Sequence, residues 1–219
     1  MSFVPEYFKF LVEHLQKNRC EVIKSLAVVT APEHWLSLEA SALLDINRGE
    51  FKLDKQLDGD GYIPRWLIAA ERKKVDLWVE DCEDTSVTNA IAIEFKVVHN
   101  NKNIYQKVKE IRRDLQKKIT GIEGKSNIER WGIVLLVYSR FIPGQEGNYS
   151  YLSKKGVPLE YKEFYKVYSE ALIDNSERSK GAKPVHNECE PQVICSLDGA
   201  PYIEDDKGSQ ILMALVKNN

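Results

Sequence analysis

The sequence lacks most of the features that assign a protein to a class at first inspection. Its 219 residues contain no internal repeat, no low-complexity tract and no run approaching the ~20 apolar residues of a membrane span. The start, MSFVPEYFKFLVEHLQKNRC, has no basic leader, no unbroken apolar stretch and no small-residue cleavage site, so a secretory signal is not expected. These absences predict a cytoplasmic protein without a membrane partner.

Cysteine is scarce, and its four positions (20, 82, 189 and 195) are scattered. Scattered cysteines without a secretion signal predict reduced thiols rather than a disulfide framework. His186, Cys189 and Cys195 could be proposed as zinc ligands. Their spacing matches no paired-cysteine knuckle and a fourth ligand is missing, so packed thiols are the preferred interpretation.

Several chemical signatures are also missing. The formal net charge is only −2, so nucleic-acid binding has to be argued from local clusters. No Gly-rich phosphate loop is present, since GIEGKS at 121–126 has the wrong spacing and no preceding strand. No Ser-His-Asp order and no Cys-His nucleophile stands out.

The composition that is present predicts one globular α/β domain spanning residues 1–219. Hydrophobic residues make up 43% and charged residues 29%, enough for one sizeable core. Apolar periodicity predicts helices over about 5–18, 30–49, 103–119 and 158–173, and strands over 66–73, 75–81, 90–98, 130–139, 192–197 and 210–217. Residues 21–29 fit either an extension of the first helix or a short strand. The three consecutive strands predict an antiparallel meander, and the apolar strand at 130–139 is typical of a strand buried on both faces.

The helix at 30–49 carries an acid within its apolar stripe. Pro32 and Glu33 suit its first turn and Gly49 its end. Glu39 is three or four residues from four apolar neighbours in this helix: Trp35, Leu36, Ala42 and Leu43. The predicted stripe comprises Trp35, Leu38, Ala42, Leu43 and Ile46. A carboxylate in such surroundings is desolvated at a cost unless a positive group meets it.

Two neighbouring strands place charge at alternate positions of an apolar ladder. VDLWVE at 75–80 carries Asp76, and IAIEFKV at 91–97 carries Glu94 and Lys96. If the strands pair with Asp76 beside Glu94, the two carboxylates converge and raise each other's pKa. Oxygen ligands of this kind suit Mg²⁺ or Mn²⁺, and a nearby lysine can orient or deprotonate an attacking water. Alternatively, these charges form only the solvated face of an ordinary hairpin.

The order of these residues resembles the PD-(D/E)XK nuclease superfamily, which includes restriction endonucleases and many repair and phage-defence nucleases. The motif here reads Val75-Asp76, then Glu94-Phe95-Lys96, and the resemblance covers about residues 30–140. Val75 stands where the superfamily's name has proline. The resemblance implies a restriction-endonuclease-like fold, with a central mixed sheet flanked by helices, a catalytic core at about 30–140 and a C-terminal α-then-β extension at about 155–217.

The resemblance also implies roles for particular residues. Asp76, Glu94 and the Phe95 carbonyl would hold Mg²⁺ or Mn²⁺, and Lys96 would hold the attacking water. Glu39 would be the extra helix acid beside the metal; the alternatives are a salt bridge to Arg72 or Lys74, or a slightly rotated helix edge. Polar residues on the helix that follows would face nucleic acid: Lys102, Gln106 and Lys107.

Two stretches have a strong local charge. Residues 101–140 hold ten basic and four acidic residues, which suits phosphate binding, although a solvated helix face explains most of them. Residues 186–206 hold six acidic residues and no Lys or Arg. Ordinary loops are the default interpretation of this acidic stretch, with a DNA cleft border or a protein partner as alternatives.

The expected function is therefore a metal-dependent nuclease that hydrolyses DNA phosphodiesters, of restriction or phage-defence type. A homodimer is expected if it cuts both strands, because one such site cuts one strand. The alternative is a non-catalytic module of the same fold that binds nucleic acid or a protein partner.

Overall fold

The structure is a computed structural model that describes residues 2–29, 32–57, 63–83, 86–101, 103–122, 125–139, 161–175, 183–198 and 208–218. Within these ranges the α-helices are α1 (Val4–His14), α2 (Cys20–Val29), α3 (Glu33–Ile46), α4 (Ile104–Gln116) and α5 (Tyr161–Ile173). A π-helical turn at Leu15–Arg19 joins α1 to α2, and a 3₁₀ turn at Arg48–Phe51 follows α3. Residues 20–29 are thus helical, which resolves the alternative that the sequence left open.

Seven strands in the described residues form one open, mixed sheet. They are β1 (Trp66–Arg72), β2 (Val75–Asp81), β3 (Val87–His99), β4 (Lys125–Tyr138), β5 (His186–Asn187), β6 (Gln192–Ser196) and β7 (Gln210–Lys217). The order is β1-β2-β3-β4-β7-β5, and β6 also pairs with β7. The pairs β1–β2 and β2–β3 are antiparallel, which confirms the predicted meander. Strand β4 runs parallel to β3 after the α4 crossover.

Helices cover both faces of this sheet. On one face, α1 and α3 pack against apolar residues of β2, β3, β4 and β7. On the other face, α4 and α5 pack against β4 and β7. Because β4 is buried on both faces from Trp131 to Tyr138, its apolar run reads as a continuous stretch in the sequence. The predicted α/β class with a mixed sheet flanked by helices is therefore confirmed.

The C-terminal segment belongs to this same core. Strand β7 lies beside β4 with eight residue pairs in register, from Trp131–Lys217 to Tyr138–Gln210. Its side chains alternate between the two apolar clusters, Met213 on the α1 face and Ala214 on the α4 face. The segment predicted as an extension thus supplies a central strand. No helix among the described residues has the length and apolar character needed to cross a membrane.

The buried face of α3 differs from the predicted stripe. Leu36, Ser37, Ala40 and Leu44 are buried, whereas the predicted positions Leu38 and Ile46 are 47% and 82% exposed. The Tyr7 hydroxyl donates a 2.6 Å hydrogen bond to the Ala40 carbonyl, and the Ser37 hydroxyl donates to the His34 carbonyl and to Glu71. Some of the α3 residues that contact α1 and β1 are small or polar. The hydrophobicity pattern therefore did not identify the buried face of this helix.

Candidate active site

The candidate site lies where β2 and β3 separate. The β2–β3 register runs from Asp81–Asn89 to Leu77–Ile93, and one further step along it places Asp76 beside Glu94. Beyond that point, backbone N–H groups at this edge of β3 donate hydrogen bonds to carboxylates and not to a neighbouring strand. The Phe95 N–H donates to Asp76 Oδ2 at 2.6 Å, and the Val97 N–H donates to Glu33 Oε1 at 2.9 Å. Backbone N–H groups at an open strand edge need hydrogen-bond acceptors, and here the acceptors are acidic side chains.

Glu94 is the most buried acid of this group, with 3% of the residue exposed. Burial and then the neighbouring Asp76 charge raise the pKa of its carboxyl from 4.5 to about 7, against the opposing effect of Lys117. The solvated-hairpin alternative is excluded for this side chain, since a residue on a solvated face would be exposed. A buried acid that titrates near neutrality is a typical feature of functional sites.

Asp76 shares this environment. Burial raises the pKa of its carboxyl, and the nearby Glu71 adds to the rise. The hydrogen bond from the Phe95 N–H, Lys96 and Lys117 oppose it. Burial is therefore the main reason why both neighbouring carboxyls hold their protons more tightly than they would in water.

Lys96 lies on β3 two residues beyond Glu94 and is partly buried. Its Nζ is 3.2 Å from Asp114 Oδ2 on α4. Burial lowers the pKa of this ammonium, but Asp76, Asp114 and Glu33 outweigh burial, and the net pKa is raised above 10.5. The side chain is therefore a charged hydrogen-bond donor at neutral pH, and this favours orientation of a water over its deprotonation.

The end of α4 supplies a second cation to the site. Lys117 is the C-cap residue of α4, and its Nζ lies 3.0 Å from Glu94 Oε1 and 3.7 Å from Asp114 Oδ1. Arg130 of β4 donates from Nη2 to the Lys117 carbonyl at 2.5 Å and from Nη1 to the Asp114 carbonyl at 3.3 Å. Arg130 thus fixes the backbone from which Lys117 reaches Glu94.

Gly132 lies on β4 beside Glu94, at a position where a side chain would clash with the next strand. It pairs with Glu94 across the parallel β3–β4 ladder. A Cβ atom at Gly132 would lie 2.6 Å from Val216 Cγ2 and 3.5 Å from Leu115 Cδ1. The absence of a side chain therefore gives room for the Val216 side chain of β7, while Leu115, two residues before Lys117, lies within ordinary contact distance of the same position.

Glu39 contacts α1 and the π-helical turn that follows it, and these contacts favour the ion-pair alternative over the predicted metal role. Its Oε1 lies 2.7 Å from His14 Nε2 and accepts a 2.6 Å hydrogen bond from Arg19 Nε. Burial raises the pKa of the Glu39 carboxyl, but these two partners outweigh burial and lower it. The predicted alternative, a salt bridge, is the right kind of contact, although its partners are His14 and Arg19 and not Arg72 or Lys74.

The π-helical turn explains how both partners reach one oxygen. In an α-helix, His14 and Arg19 would point about 140° apart, because five residues rotate by about 500°. The intervening turn Leu15–Arg19 is π-helical, with bonds between residues five apart, and this brings the two side chains nearly into line.

Glu33, Asp114, Lys117 and Arg130 were not identified from the sequence as members of the site. Glu33 occupies the first turn of α3, about 9 Å along the helix from Glu39. It is the α3 acid that contacts β3 beside Lys96. From the sequence, Glu33 was recognised only as an acid that favours the start of a helix. Asp114 and Lys117 were visible only as members of a charged helix face.

Two of the residues predicted to bind nucleic acid, Gln106 and Lys107, both contact Glu110. Gln106 Nε2 donates to Glu110 Oε1 at 3.1 Å, and Lys107 Nζ lies 3.1 Å from Glu110 Oε2. Glu110 lies one turn before Asp114, so these residues continue the polar face of α4 that borders Lys96. Lys102 lies outside the described residues.

Asp76, Glu94 and the Phe95 carbonyl are the oxygen donors that would hold the divalent cation implied by the resemblance. Asp76 and Glu94 are neighbouring acids whose pKa values are raised chiefly by burial, and their carboxylate oxygens are ligands that suit a hard cation. The Phe95 carbonyl lies on the same edge of β3 as its N–H, which faces Asp76. In the described part of the chain, no three His, Cys, Asp or Glu side chains are grouped as metal ligands. The fit therefore rests on two carboxylates and one carbonyl.

Comparison of the chain with protein-family models, with curated proteins and with solved structures gives no match. The function proposed below accordingly rests on the fold and on the geometry of the site.

Proposed function

We propose that this protein is a metal-dependent nuclease of the PD-(D/E)XK type that hydrolyses phosphodiester bonds in DNA. The observation that carries the proposal is the placement of Asp76 beside Glu94, with Lys96 next along β3, at the point where the strands separate. The order of elements around this point supports it: a helix, a meander, a crossover helix and a parallel strand.

In this proposal Asp76, Glu94 and the Phe95 carbonyl hold Mg²⁺ or Mn²⁺. The bound cation would polarise the scissile phosphate and lower the pKa of a water. Ionised Glu94 is needed for binding, and because the pKa of its carboxyl is about 7, cation binding at neutral pH releases a proton.

Lys96 would orient the attacking water, and its positive charge would stabilise the negative charge that develops on the phosphate oxygens in the transition state. Asp114 restrains its ammonium at 3.2 Å, and Asp76 and Glu33 help to keep it protonated. Lysines of α4 and the following segment contact the phosphate backbone, Lys107 among them. One such site cuts one strand, so cleavage of both strands would require a homodimer or two successive events.

Purified protein incubated with supercoiled plasmid and Mg²⁺ or Mn²⁺ tests the proposal. We expect nicking by the wild type, at least about a hundredfold less by Lys96→Met, and about a thousandfold less by Asp76→Asn. Glu13→Gln is the control, because Glu13 is an exposed acid of α1 paired only with Lys17 in the described contacts. Equal cleavage by the wild type and Asp76→Asn would rule the proposal out.

A second function is favoured by one observation, the ammonium of Lys117 beside Glu94. A permanent internal cation would leave no need for a metal, and the protein would be a non-catalytic module that binds nucleic acid or a protein partner. Calorimetric titration with Mn²⁺ separates the two functions. Binding that is lost in Glu94→Gln supports the nuclease, and no binding together with no cleavage supports the module.

A further inference from the structure

Lys117 approaches the acid pair, Asp76 and Glu94, from the C-terminal end of α4. The last α-helical residue of α4 is Gln116, and Lys117 already has an extended backbone with ψ of 145°. Its side chain points back to the sheet, 3.0 Å from Glu94 Oε1, while 35% of that side chain remains exposed. The two atoms form a close ion pair, and Lys117 lowers the pKa of the Glu94 carboxyl against the effect of burial.

The backbone at Lys117 is held more firmly than its side chain. Arg130 donates to the carbonyls of both Asp114 and Lys117, and its guanidinium is partly buried under the end of α4. Leu115, between them, is fully buried against the sheet at Gly132. The backbone of Lys117 is therefore fixed, while its long aliphatic side chain can change rotamer. The ammonium can move away from Glu94 without any change in the fold.

Asp114 offers the ammonium a second position. Its Oδ1 lies 3.7 Å from Lys117 Nζ, and its Oδ2 already pairs with Lys96. Asp114 is more exposed than Glu94, with 27% of its side chain accessible against 4%. A lysine leaving Glu94 therefore keeps a carboxylate partner nearer to solvent.

We propose that Lys117 is a tethered counter-cation that occupies the acid pair when no divalent cation is bound and withdraws toward Asp114 when one binds. This inference rests on the proposed function, since it assigns Lys117 to the same cation site. An ordinary surface ion pair does not explain the arrangement, because its acid partner is almost fully buried beside a second carboxylate. Lys117 and the divalent cation then compete for the same negative charge.

Removal of the ammonium should strengthen metal binding. Calorimetric titration with Mn²⁺ at pH 8.5, where protons compete least for Glu94, compares the wild type with Lys117→Gln. We expect about tenfold tighter binding by Lys117→Gln, since a positive charge within a few ångströms of the cation is lost. Lys118→Gln is the matched control, because Lys118 is the next residue along the chain and is exposed. Its affinity should equal that of the wild type.

Amine labelling gives a readout that does not depend on activity. Reductive methylation followed by peptide mass spectrometry should label Lys117 several-fold faster in the presence of Mn²⁺, while Lys118 is unchanged. In Glu94→Gln, Mn²⁺ should have no effect on either lysine.

The outcomes separate the inference from the proposed function. Binding that is lost in Glu94→Gln but equal in Lys117→Gln and the wild type overturns the inference and leaves the nuclease proposal standing. Metal-independent labelling of Lys117 in a wild type that binds Mn²⁺ also overturns it. Absence of Mn²⁺ binding by both the wild type and Lys117→Gln overturns the inference together with the metal site.

Discussion

Glu39 and Glu94 are two shielded glutamates with opposite electrostatic environments. Glu39 meets a guanidinium and an imidazole at one oxygen, and the pKa of its carboxyl is lowered. Burial and then the neighbouring Asp76 carboxylate raise the pKa of the Glu94 carboxyl to about 7, although Lys117 is near. The comparison shows that the partners of an acid, and not its burial alone, separate a structural ion pair from a candidate reactive site.

The largest difference between the two acids is expected in metal-dependent cleavage. Glu94→Gln should reduce plasmid nicking by about a thousandfold, since it removes a carboxylate from the proposed cation site. Glu39→Gln should leave the initial nicking rate within about twofold at 25 °C, since its contacts lie on α1 and the π-helical turn. A similar loss in both variants would contradict the separation of the two sites.

A second difference is expected in stability without metal. The folded Glu94 carboxyl binds its proton more tightly than the unfolded one, so wild-type stability falls as pH rises from about 4.5 to about 7. Glu94→Gln removes this penalty and should be about 2 kcal/mol more stable than the wild type at pH 8. Urea unfolding at pH 8 and pH 4 measures the difference in unfolding free energy between the variant and the wild type. The extra stability of the variant should disappear at pH 4. A loss of stability at pH 8 would contradict the raised pKa.

The smallest effect is expected at Glu39, and it has the opposite sign. Its lowered pKa means that ionised Glu39 stabilises the fold above about pH 4.5, and that this contribution is lost as pH falls through the folded pKa. Glu39→Gln should therefore cost about 1 kcal/mol at pH 7 and less at low pH. Urea unfolding of Glu13→Gln provides the control, since its pair with Lys17 is exposed and i,i+4, and it should change stability by under about 0.5 kcal/mol. Equal effects of the two substitutions would remove the distinction between a shielded and a solvated pair.

The sequence predicted the strands that carry the candidate site and three of the side chains that lie there. Alternation along β2 and β3 identified Asp76, Glu94 and Lys96, because a period of two is the direct consequence of an extended backbone. The same reasoning failed for α3, where Leu38 and Ile46 appeared to continue an apolar stripe but are exposed. Helical spacing permits several overlapping stripes, and the neighbours that pack on a helix select among them.

Glu33 illustrates the same limit within the site. From the sequence it was an acid at a favourable helix start, and Glu39 appeared to be the acid that required a cation. Glu39 does have positively charged or polar partners, but they are His14 and Arg19, which a π-helical turn brings to the same carboxylate oxygen. Long-range partners of this kind are set by how helices pack and not by local pattern.

By itself the sequence determined the α/β class, the antiparallel meander, the buried strand β4 and the charged positions on β3. These follow from local periodicity, which each segment carries independently of the others. Only the tertiary structure decided which acids meet which cations: Asp114 with Lys96, Lys117 with Glu94, and Arg19 with Glu39. Such pairs join residues distant in the chain, and their electrostatics depend on burial and distance, which arise only when the helices pack on the sheet.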